Sequence, residues 1–143
     1  MRVVHLMQTF LAYPSFAMSA KVLDRQRLGK QRVETLQILN TLENGGAWSN
    51  HPAVKMWKGF ERWLILYGVL MCQEWKRRGY KDTCEEKIRQ KCRIFALDVP
   101  PPSWLGNTQF HMSHRSNLIR KNKEFYKKYW PDVKGDIPYL WPQ

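Results

Sequence analysis

The stretch that decides the fold is Pro52–Gly79, which reads PAVKMWKGFERWLILYGVLMCQEWKRRG. It begins with a proline, which is favoured in the first turn of a helix, and ends with a glycine, which is favoured just past a helix end. Its apolar residues recur three and four positions apart, which is the period of one helix face. The members of this stripe are Val54, Trp57, Phe60 or Glu61, Leu64, Tyr67, Met71 and Trp75. The pattern predicts one long helix at the centre of a helical core.

Another helix is predicted on the N-terminal side of this stretch, from about Ser19 to Leu42. It ends where the turn-forming sequence Asn44-Gly45-Gly46 follows, because glycine and asparagine favour the backbone conformations that stop a helix. Apolar and small residues at helical spacing predict its buried side, which consists of Val22, Gly29, Val33, Leu36 and Leu39.

Two further helices are predicted in the C-terminal half of the chain. Thr83 and Glu86 have the spacing of a capping box, which starts a short helix. The last helix runs from about Ser113 to Tyr129, and its expected buried residues are Leu118, Ile119, Phe125 and Tyr129. Residues 131–142 are rich in proline and aromatic side chains and are predicted to be irregular. The sequence therefore predicts an all-α fold, a single compact domain of about four helices over residues 1–143.

The composition indicates a polyanionic partner. The 143 residues include 24 Lys and Arg against 12 Asp and Glu, which gives a net charge of +12 at pH 7. Aromatic residues are abundant, with 7 Trp, 6 Tyr and 6 Phe. Cations that hold phosphates, together with rings that stack on bases, are typical of nucleic-acid-binding proteins. Charge alone leaves open the alternative of a basic protein with no such partner.

Several classes of protein are disfavoured by what the sequence lacks. It has no Walker A sequence, no Gly-x-Gly-x-x-Gly and no His-Glu-x-x-His. Its longest apolar stretch, Trp63–Cys72, is about half of what a membrane crossing needs. The first residues do not resemble a signal peptide. The three cysteines, Cys72, Cys84 and Cys92, are most simply explained as reduced thiols. We therefore expect a cytoplasmic protein, associated with the nucleoid or nucleus, with no membrane contact.

The most informative cluster is a cationic ridge on the first predicted helix. Arg27, Lys30 and Glu34 follow one another at helical spacing, so their side chains lie near one another. The carboxylate of Glu34 could stabilise a developing positive charge or relay a proton while the basic groups hold a phosphate backbone. The alternative is an exposed Lys30–Glu34 pair, which is worth about 0.3 kcal/mol. Spacing alone leaves both interpretations open.

The histidines allow a metal hypothesis. His111 and His114 have a ligand-like spacing, and Cys84 and Cys92 would complete a set of four. Structural zinc sites show closer pairs of cysteines, so the sequence favours no metal and no other cofactor. His51 begins the central helix, where its imidazole either caps the helix or faces a phosphate.

Basic and aromatic residues outside the ridge extend the expected nucleic-acid surface. Arg120, Lys123 and Lys127 line up on the last helix and form either a phosphate-binding face or a solvated face, and both remain open. Trp48 and Trp104 lie in turns beside glycines and are candidates for stacking on bases.

Five segments occur in an order and form typical of a known family: Leu23–Glu34, Trp48–Pro52, Glu74–Tyr80, Ser113–Lys121 and Pro138–Pro142. Together they resemble the pyrimidine dimer DNA glycosylases of the phage endonuclease V type, and more closely the divergent bacterial branch of that family. The resemblance implies a single helical domain. It also implies cleavage of the glycosidic bond of a damaged pyrimidine, followed by nicking of the DNA through β-elimination.

The resemblance also implies roles for particular residues. The nucleophile of the family is an N-terminal α-amino group that forms a Schiff base at the sugar C1′, and Met1 is the candidate here, with a start at Met7 left open. Glu34 matches the catalytic glutamate, with Arg32 and Arg27 as its basic neighbours, and the candidate catalytic residues are Glu34, Arg32 and Met1. The residues expected to contact DNA are Arg25, Arg27, Lys30, His51, His114, Arg115, Arg120 and Lys121.

Two hypotheses of different classes follow. The first is a monomeric repair glycosylase that acts on double-stranded DNA containing a pyrimidine lesion, a cyclobutane dimer above all. The second is a non-catalytic nucleic-acid-binding domain that keeps the same basic surface. They differ at Glu34, because a pure binder gains nothing from a carboxylate on a surface that contacts phosphates.

Overall fold

The structure is a computed structural model that describes residues 7–142, and this part of the chain contains helices and no strands. The helices are α1 (Phe16–Lys21), α2 (Arg25–Asn44), α3 (Pro52–Lys55), α4 (Glu61–Arg77), α5 (Glu85–Gln90), α6 (Thr108–Lys121) and α7 (Lys123–Lys127), with a 3₁₀ turn at Lys91–Arg93. The predicted all-α fold is confirmed. No helix among residues 7–142 is long and apolar enough to cross a membrane.

Helix α4 is the centre of the core, as the sequence predicts. It packs against α1, α2 and α5. Leu64, Tyr67 and Met71 on its inner face are completely buried. Val54 and Trp57, which precede it, are buried in the same core. Most of the predicted stripe therefore lies inside, and Phe60, Glu61 and Trp75 are its partly exposed members.

The single long helix predicted over Pro52–Gly79 is two helices in the structure. Helix α3 ends at Lys55, and α4 begins only at Glu61. Gly59 lies between them with φ of 87°, in the left-handed region. Glycine adopts this region at little cost, so the chain turns here while the apolar stripe continues on both sides.

The predicted first helix is also divided, and its predicted buried face is confirmed only in part, because Val22 and Leu39 are buried whereas Val33 is not. Asp24 has extended backbone and separates α1 from α2. Val33 is 43% exposed. The buried side of α2 consists instead of Leu28, Gln31, Glu34, Thr35, Ile38 and Leu39. Three of these six are polar, so a search for apolar periodicity selects a neighbouring stripe instead.

Three local predictions in the C-terminal half need correction. The short helix starts at Glu85, and Asp82 rather than Thr83 caps it, because its Oδ2 accepts the N–H groups of Cys84 and Glu85. The last predicted helix is divided at Asn122, whose side chain accepts the N–H of Phe125. Tyr129 is 42% exposed rather than buried.

The C-terminal tail is irregular, as predicted, and is fastened to α6. Ser116 Oγ donates to the carbonyl of Lys134 and accepts the N–H of Ile137. Arg120 donates to the carbonyls of Gly135 and Ile137. These bonds lead the tail back across the face where α2 and α6 meet, so that Tyr139 reaches the N-terminal segment.

Candidate functional site

The candidate site is built around Glu34, which lies in the middle of α2 and is 5% exposed. Its Oε1 accepts the backbone N–H of Gln8 at 2.9 Å. Residues 7–12 form no helix and run alongside α2. The carboxylate is therefore held between its own helix and the N-terminal segment of the chain.

Gln8 is held by three of its polar groups. Its N–H donates to Glu34, and its carbonyl accepts Gln31 Nε2 at 2.9 Å. Its side-chain Oε1 accepts the Tyr139 hydroxyl at 2.9 Å. Gln31 precedes Glu34 by three residues on α2, so the two side chains point the same way. One face of α2 therefore hydrogen-bonds both the N–H and the carbonyl of Gln8.

The hydroxyl of Tyr67 extends this network from α4. It accepts the N–H of Phe10 at 2.8 Å and donates to Gln31 Oε1 at 2.6 Å. Burial raises the pKa of Tyr67 well above its usual value, with the Phe10 hydrogen bond opposing the shift. The phenol is therefore a permanent donor at physiological pH, and it fixes the orientation of the Gln31 amide.

Two histidines of α6 hold the next residue of the segment. His114 Nδ1 accepts the N–H of Leu11 at 2.9 Å. His111 Nε2 accepts the N–H of Gly106, so its Nδ1 carries the proton that is donated to the carbonyl of Leu11 at 2.8 Å. Burial lowers the pKa of both histidines, that of His114 to about 3. His114 is 1% exposed, so it is a core residue and cannot contact a DNA backbone as predicted.

Cations from two helices converge on this face. Burial, followed by the charges of Arg27, Arg120 and Lys30, lowers the pKa of Lys121, while the nearby carboxylate of Glu34 opposes the shift. Each of these charges affects the Lys121 amine, so the ridge of α2 and the end of α6 lie close together. Glu34 is the acidic member of this cluster.

Some of these cations are partly occupied within the protein. Arg27 forms an ion pair with Asp24 at 3.3 Å. Arg115 donates to the carbonyl of Ala12 at 2.7 Å, and its guanidinium lies over the ring of Tyr13. Arg120 is bound to the tail through Gly135 and Ile137. Arg25, Lys30 and Lys121 are exposed and are the better placed of the predicted contacts to meet a phosphate.

Arg32 lies on a different side of α2 from Glu34. It forms an ion pair with Asp82 at 2.6 Å. Its guanidinium also lies 4.4 Å from the centre of the Trp75 ring. Two residues along a helix correspond to a rotation of about 200°, so Arg32 fastens α2 to the end of α4 rather than taking part at Glu34.

The remaining predicted residues lie elsewhere. His51 Nδ1 caps α3 by accepting the N–H of Ala53. Its ring lies 5.6 Å from that of Trp48 and 6.2 Å from that of Trp141. Trp104, a predicted stacking residue, is buried and packs on Trp57 at 5.0 Å. Met1 lies outside the described residues.

A surface groove of about 520 Å³ runs beside the ridge. It is lined by Arg25, Gln26, Gly29, Lys30, Val33, Glu34, Gln37 and Trp75. Its volume is in the range of small-molecule and cofactor sites. Glu34 therefore borders a space that a nucleotide-sized group can enter, with cations along the edge.

The residues of the metal hypothesis do not come together. Among residues 7–142, no group of three or more His, Cys, Asp or Glu side chains is arranged to hold a metal ion. His111 and His114 instead bind the backbone of Leu11. The zinc alternative has no support in the described part of the chain.

Comparison with known families defines the class of this protein. The family described as pyrimidine dimer DNA glycosylase matches residues 7–88, more than half of the chain. The chain belongs to this family. No curated protein and no solved structure matches it. The matched range contains α1–α4 and Glu34, whereas α6 and the tail lie beyond it.

Four residues of the site are not among those that the sequence predicts: Gln8, Gln31, Tyr67 and Tyr139. Gln31 offered a signal, because it is a neutral polar residue one turn before Glu34 on the same side of a helix. Tyr67 was identified only as a core residue. Gln8 and Tyr139 carry no local pattern that connects them to the site.

Proposed function

We propose that this protein excises a pyrimidine from damaged double-stranded DNA, with a cyclobutane dimer as the principal lesion, and then nicks the strand as an AP lyase. Glu34 is the catalytic carboxylate in this proposal. Arg25, Lys30 and Lys121 are the main contacts to the DNA backbone, with Arg27 and Arg120 contributing. The enzyme acts as a monomer and without a metal or organic cofactor.

The observation that carries the proposal is the setting of Glu34. A carboxylate that only pairs with a lysine on a helix surface is exposed, whereas this one is buried and accepts a backbone N–H. It also lies within the matched family segment and beside a groove with cations on its edge. This setting favours a chemical role over the exposed Lys30–Glu34 pair that the sequence left open.

The proposed chemistry follows from the resemblance to the family. The lone pair of an amine forms a bond to C1′ while the glycosidic bond breaks, and the electron pair of the glycosidic bond leaves with the base. The nitrogen then gives up a proton, and its lone pair forms the C=N bond of a Schiff base as the C1′–O4′ bond breaks and O4′ takes up a proton. Loss of a 2′ proton then expels the 3′ phosphate. Glu34 would stabilise the positive charge on the sugar and accept that proton.

The candidate amine is that of Met1. An α-amino group has a pKa near 8, so about a tenth of it is unprotonated at neutral pH. Met1 is six residues before Met7, a span of at most about 20 Å. Because Gln8 is bonded to Glu34, covalent reach allows an amine at Met1 to arrive at the carboxylate.

The test is borohydride trapping on two duplexes, one with an abasic site and one with a cyclobutane dimer. Wild type is compared with Glu34→Gln and with the control Glu86→Gln, which removes the same charge from an exposed position on α5. We expect wild type and the control to form a covalent adduct whose mass maps to the first peptide. Glu34→Gln should lose turnover and bind DNA as tightly or more tightly, because it removes a negative charge.

Other outcomes separate the alternatives. Trapping on the abasic duplex alone would indicate a lyase whose base substrate differs. Base release without an adduct would indicate a glycosylase that does not use an amine. Binding with neither adduct nor base release, from wild type and Glu34→Gln alike, would favour the non-catalytic DNA-binding domain.

A further inference from the structure

We infer that Tyr67 and Gln31 are positioning residues for Glu34, a role that rests on the proposed function of that carboxylate. They act on it through the backbone of residues 8–10, which they hold in one register. The contacts that support this inference span three separate parts of the chain.

The first step is the pair of hydrogen bonds between α2 and the backbone of Gln8. Glu34 accepts the N–H of this residue at 2.9 Å, and Gln31 donates to its carbonyl at 2.9 Å. The N–H and the carbonyl of one residue in an extended chain point to the same side of that chain. Here both face α2, where Glu34 and Gln31 lie about one turn apart on the same face. A shift of the segment along α2 would break both bonds together.

The second step is the hydrogen bond that fixes the orientation of the Gln31 side-chain amide. A primary amide can rotate by half a turn and present either its oxygen or its nitrogen to the same partner. The Tyr67 hydroxyl donates to Oε1 at 2.6 Å, which leaves Nε2 to face the carbonyl of Gln8. Both residues are completely buried, so water does not compete for these bonds.

The third step is a direct hydrogen bond between Tyr67 and the backbone of the segment. Its hydroxyl oxygen accepts the N–H of Phe10 at 2.8 Å. One phenol therefore fixes Phe10 directly and Gln8 through Gln31. Removing the hydroxyl frees the segment at two points, and Glu34 then loses the fixed position of its Gln8 partner.

The consequence is catalytic because the carboxylate must meet a sugar carbon at a defined place. Misplacement of a reacting group by about 1 Å can reduce a rate about 100-fold. We expect the loss of the Tyr67 hydroxyl to lower the rate of the chemical step and to leave DNA affinity unchanged, since the phosphate contacts are made by other residues.

The experiment compares Tyr67→Phe with the matched variant Ser19→Ala. The Ser19 hydroxyl is also buried, and it accepts the N–H of Tyr13 at 3.1 Å and donates to the carbonyl of Tyr13 at 3.0 Å. Both changes thus remove one buried hydroxyl that holds backbone groups near the start of the chain, those of Phe10 in one case and of Tyr13 in the other. Only the first affects the part bonded to Glu34. A second variant, Gln31→Met, removes the hydrogen bond from Gln31 to the carbonyl of Gln8. The same measurements are made on it, and it takes the place of Tyr67→Phe if Tyr67→Phe does not fold.

Two readouts are needed, one of which does not depend on activity. We expect Tyr67→Phe to lower the single-turnover rate about 10- to 100-fold and Ser19→Ala to stay within about twofold of wild type. Hydrogen exchange at the Gln8 amide should become faster in Tyr67→Phe than in Ser19→Ala. Equal effects of the two variants on either readout, or an unchanged Gln8 amide, would overturn the inference. A wild type inactive on every duplex would overturn the proposed function, and Gln8 exchange would still decide whether Tyr67 holds the segment.

Discussion

At the scale of single residues, this protein buries groups that are costly to bury unless they are fully bonded. A charged carboxylate, an amide and an imidazole each lose hydration in the core, and each needs partners there. Glu34, Gln31 and His114 find theirs on the backbone of residues 8–11. The backbone of the N-terminal segment is therefore hydrogen-bonded by side chains, whereas the backbone of a β-strand is hydrogen-bonded by a neighbouring strand.

The neutral state of His114 has a consequence for stability. Burial lowers its pKa from 6.5 to about 3. As the pH falls, the imidazole is therefore protonated near pH 6.5 in the unfolded chain but only near pH 3 in the folded chain. Its contribution to the free energy of unfolding is therefore full above pH 6.5 and is lost as the pH falls. We expect a slope of up to about 1.4 kcal/mol per pH unit from this residue. Urea titrations between neutral and mildly acidic pH measure it.

The matched variants are His114→Asn and His51→Asn. Asparagine can replace either imidazole as acceptor of a backbone N–H, from Leu11 in one case and Ala53 in the other. We expect His114→Asn to flatten the pH dependence by about one proton and His51→Asn, at a partly exposed site, to change it less. The explanation fails if wild type and His114→Asn keep the same slope.

Single residues also show how far sequence reasoning reaches. Glu34 was found because an acid within a run of bases is unusual, and that signal is local. Tyr67 and Gln31 were not found, because their roles come from partners 57 and 23 residues away, Phe10 and Gln8. The buried side of α2 was also predicted correctly only in part, because half of its residues are polar and periodicity counts only apolar positions.

At the scale of elements, the contact between α2 and α4 depends on a glycine. Gly68 of α4 faces Thr35 of α2, which follows Glu34 directly. A Cβ added at Gly68 would collide with Thr35 Cγ2 and lie 3.0 Å from Thr35 Cβ and 3.1 Å from Ile88 Cδ1. The close approach of the two helices is what brings Tyr67 and Gln31 within hydrogen-bonding distance.

We therefore expect Gly68→Ala to be destabilising although alanine favours helices. The overpacking costs about 1–3 kcal/mol, and the gain in helix propensity is about 1 kcal/mol. Thermal or urea unfolding measures the balance. Gly29→Ala is the comparison, because its Cβ would meet the partly exposed Trp75 ring at 3.0 Å. That ring can shift more easily than Thr35, so we expect a smaller effect. A Gly68→Ala protein as stable as wild type would contradict this account of the helix contact.

The helices also show why their number was underestimated. The apolar stripes correctly predicted helical segments, but they continue through Asp24, Gly59 and Asn122, where the structure changes direction. The break at Gly59 is set by its left-handed φ, the break at Asn122 by a side chain that caps α7, and the break at Asp24 by extended backbone without a side-chain cap. Such local signals were present in the sequence and were outweighed by the longer apolar pattern.

At the scale of the whole molecule, the charge of +12 is organised as well as large. Arg77 and Arg78 are bonded to Glu74, and Arg89 is bonded to Glu85. Arg25 and Lys30 instead lie exposed along the groove beside Glu34, and Lys121 is exposed at the end of α6. Only cations that are available to phosphates contribute to the salt dependence of DNA binding.

We expect duplex binding to weaken steeply with salt. Lys30→Ala and Lys121→Ala should each reduce the slope of log affinity against log salt by about one. Arg89→Ala is the control, because Arg89 is paired with Glu85 at 2.9 Å on α5, and its slope should stay that of wild type. Fluorescence anisotropy over a range of salt concentrations gives these slopes. A binding constant independent of salt would remove the phosphate-contact interpretation.

The order of events during synthesis follows from how the tail returns to the N-terminal segment. Leu11 meets His114 across 103 residues, and Gln8 meets Tyr139 across 131 residues. Gln8 and Phe10 can meet Gln31, Glu34 and Tyr67 early, but the bonds to His114 and Tyr139 must wait until most of the chain is translated. The carboxylate site reaches its final arrangement only after Tyr139 has left the ribosome, so a prematurely terminated chain can hold the basic surface but lacks the finished site.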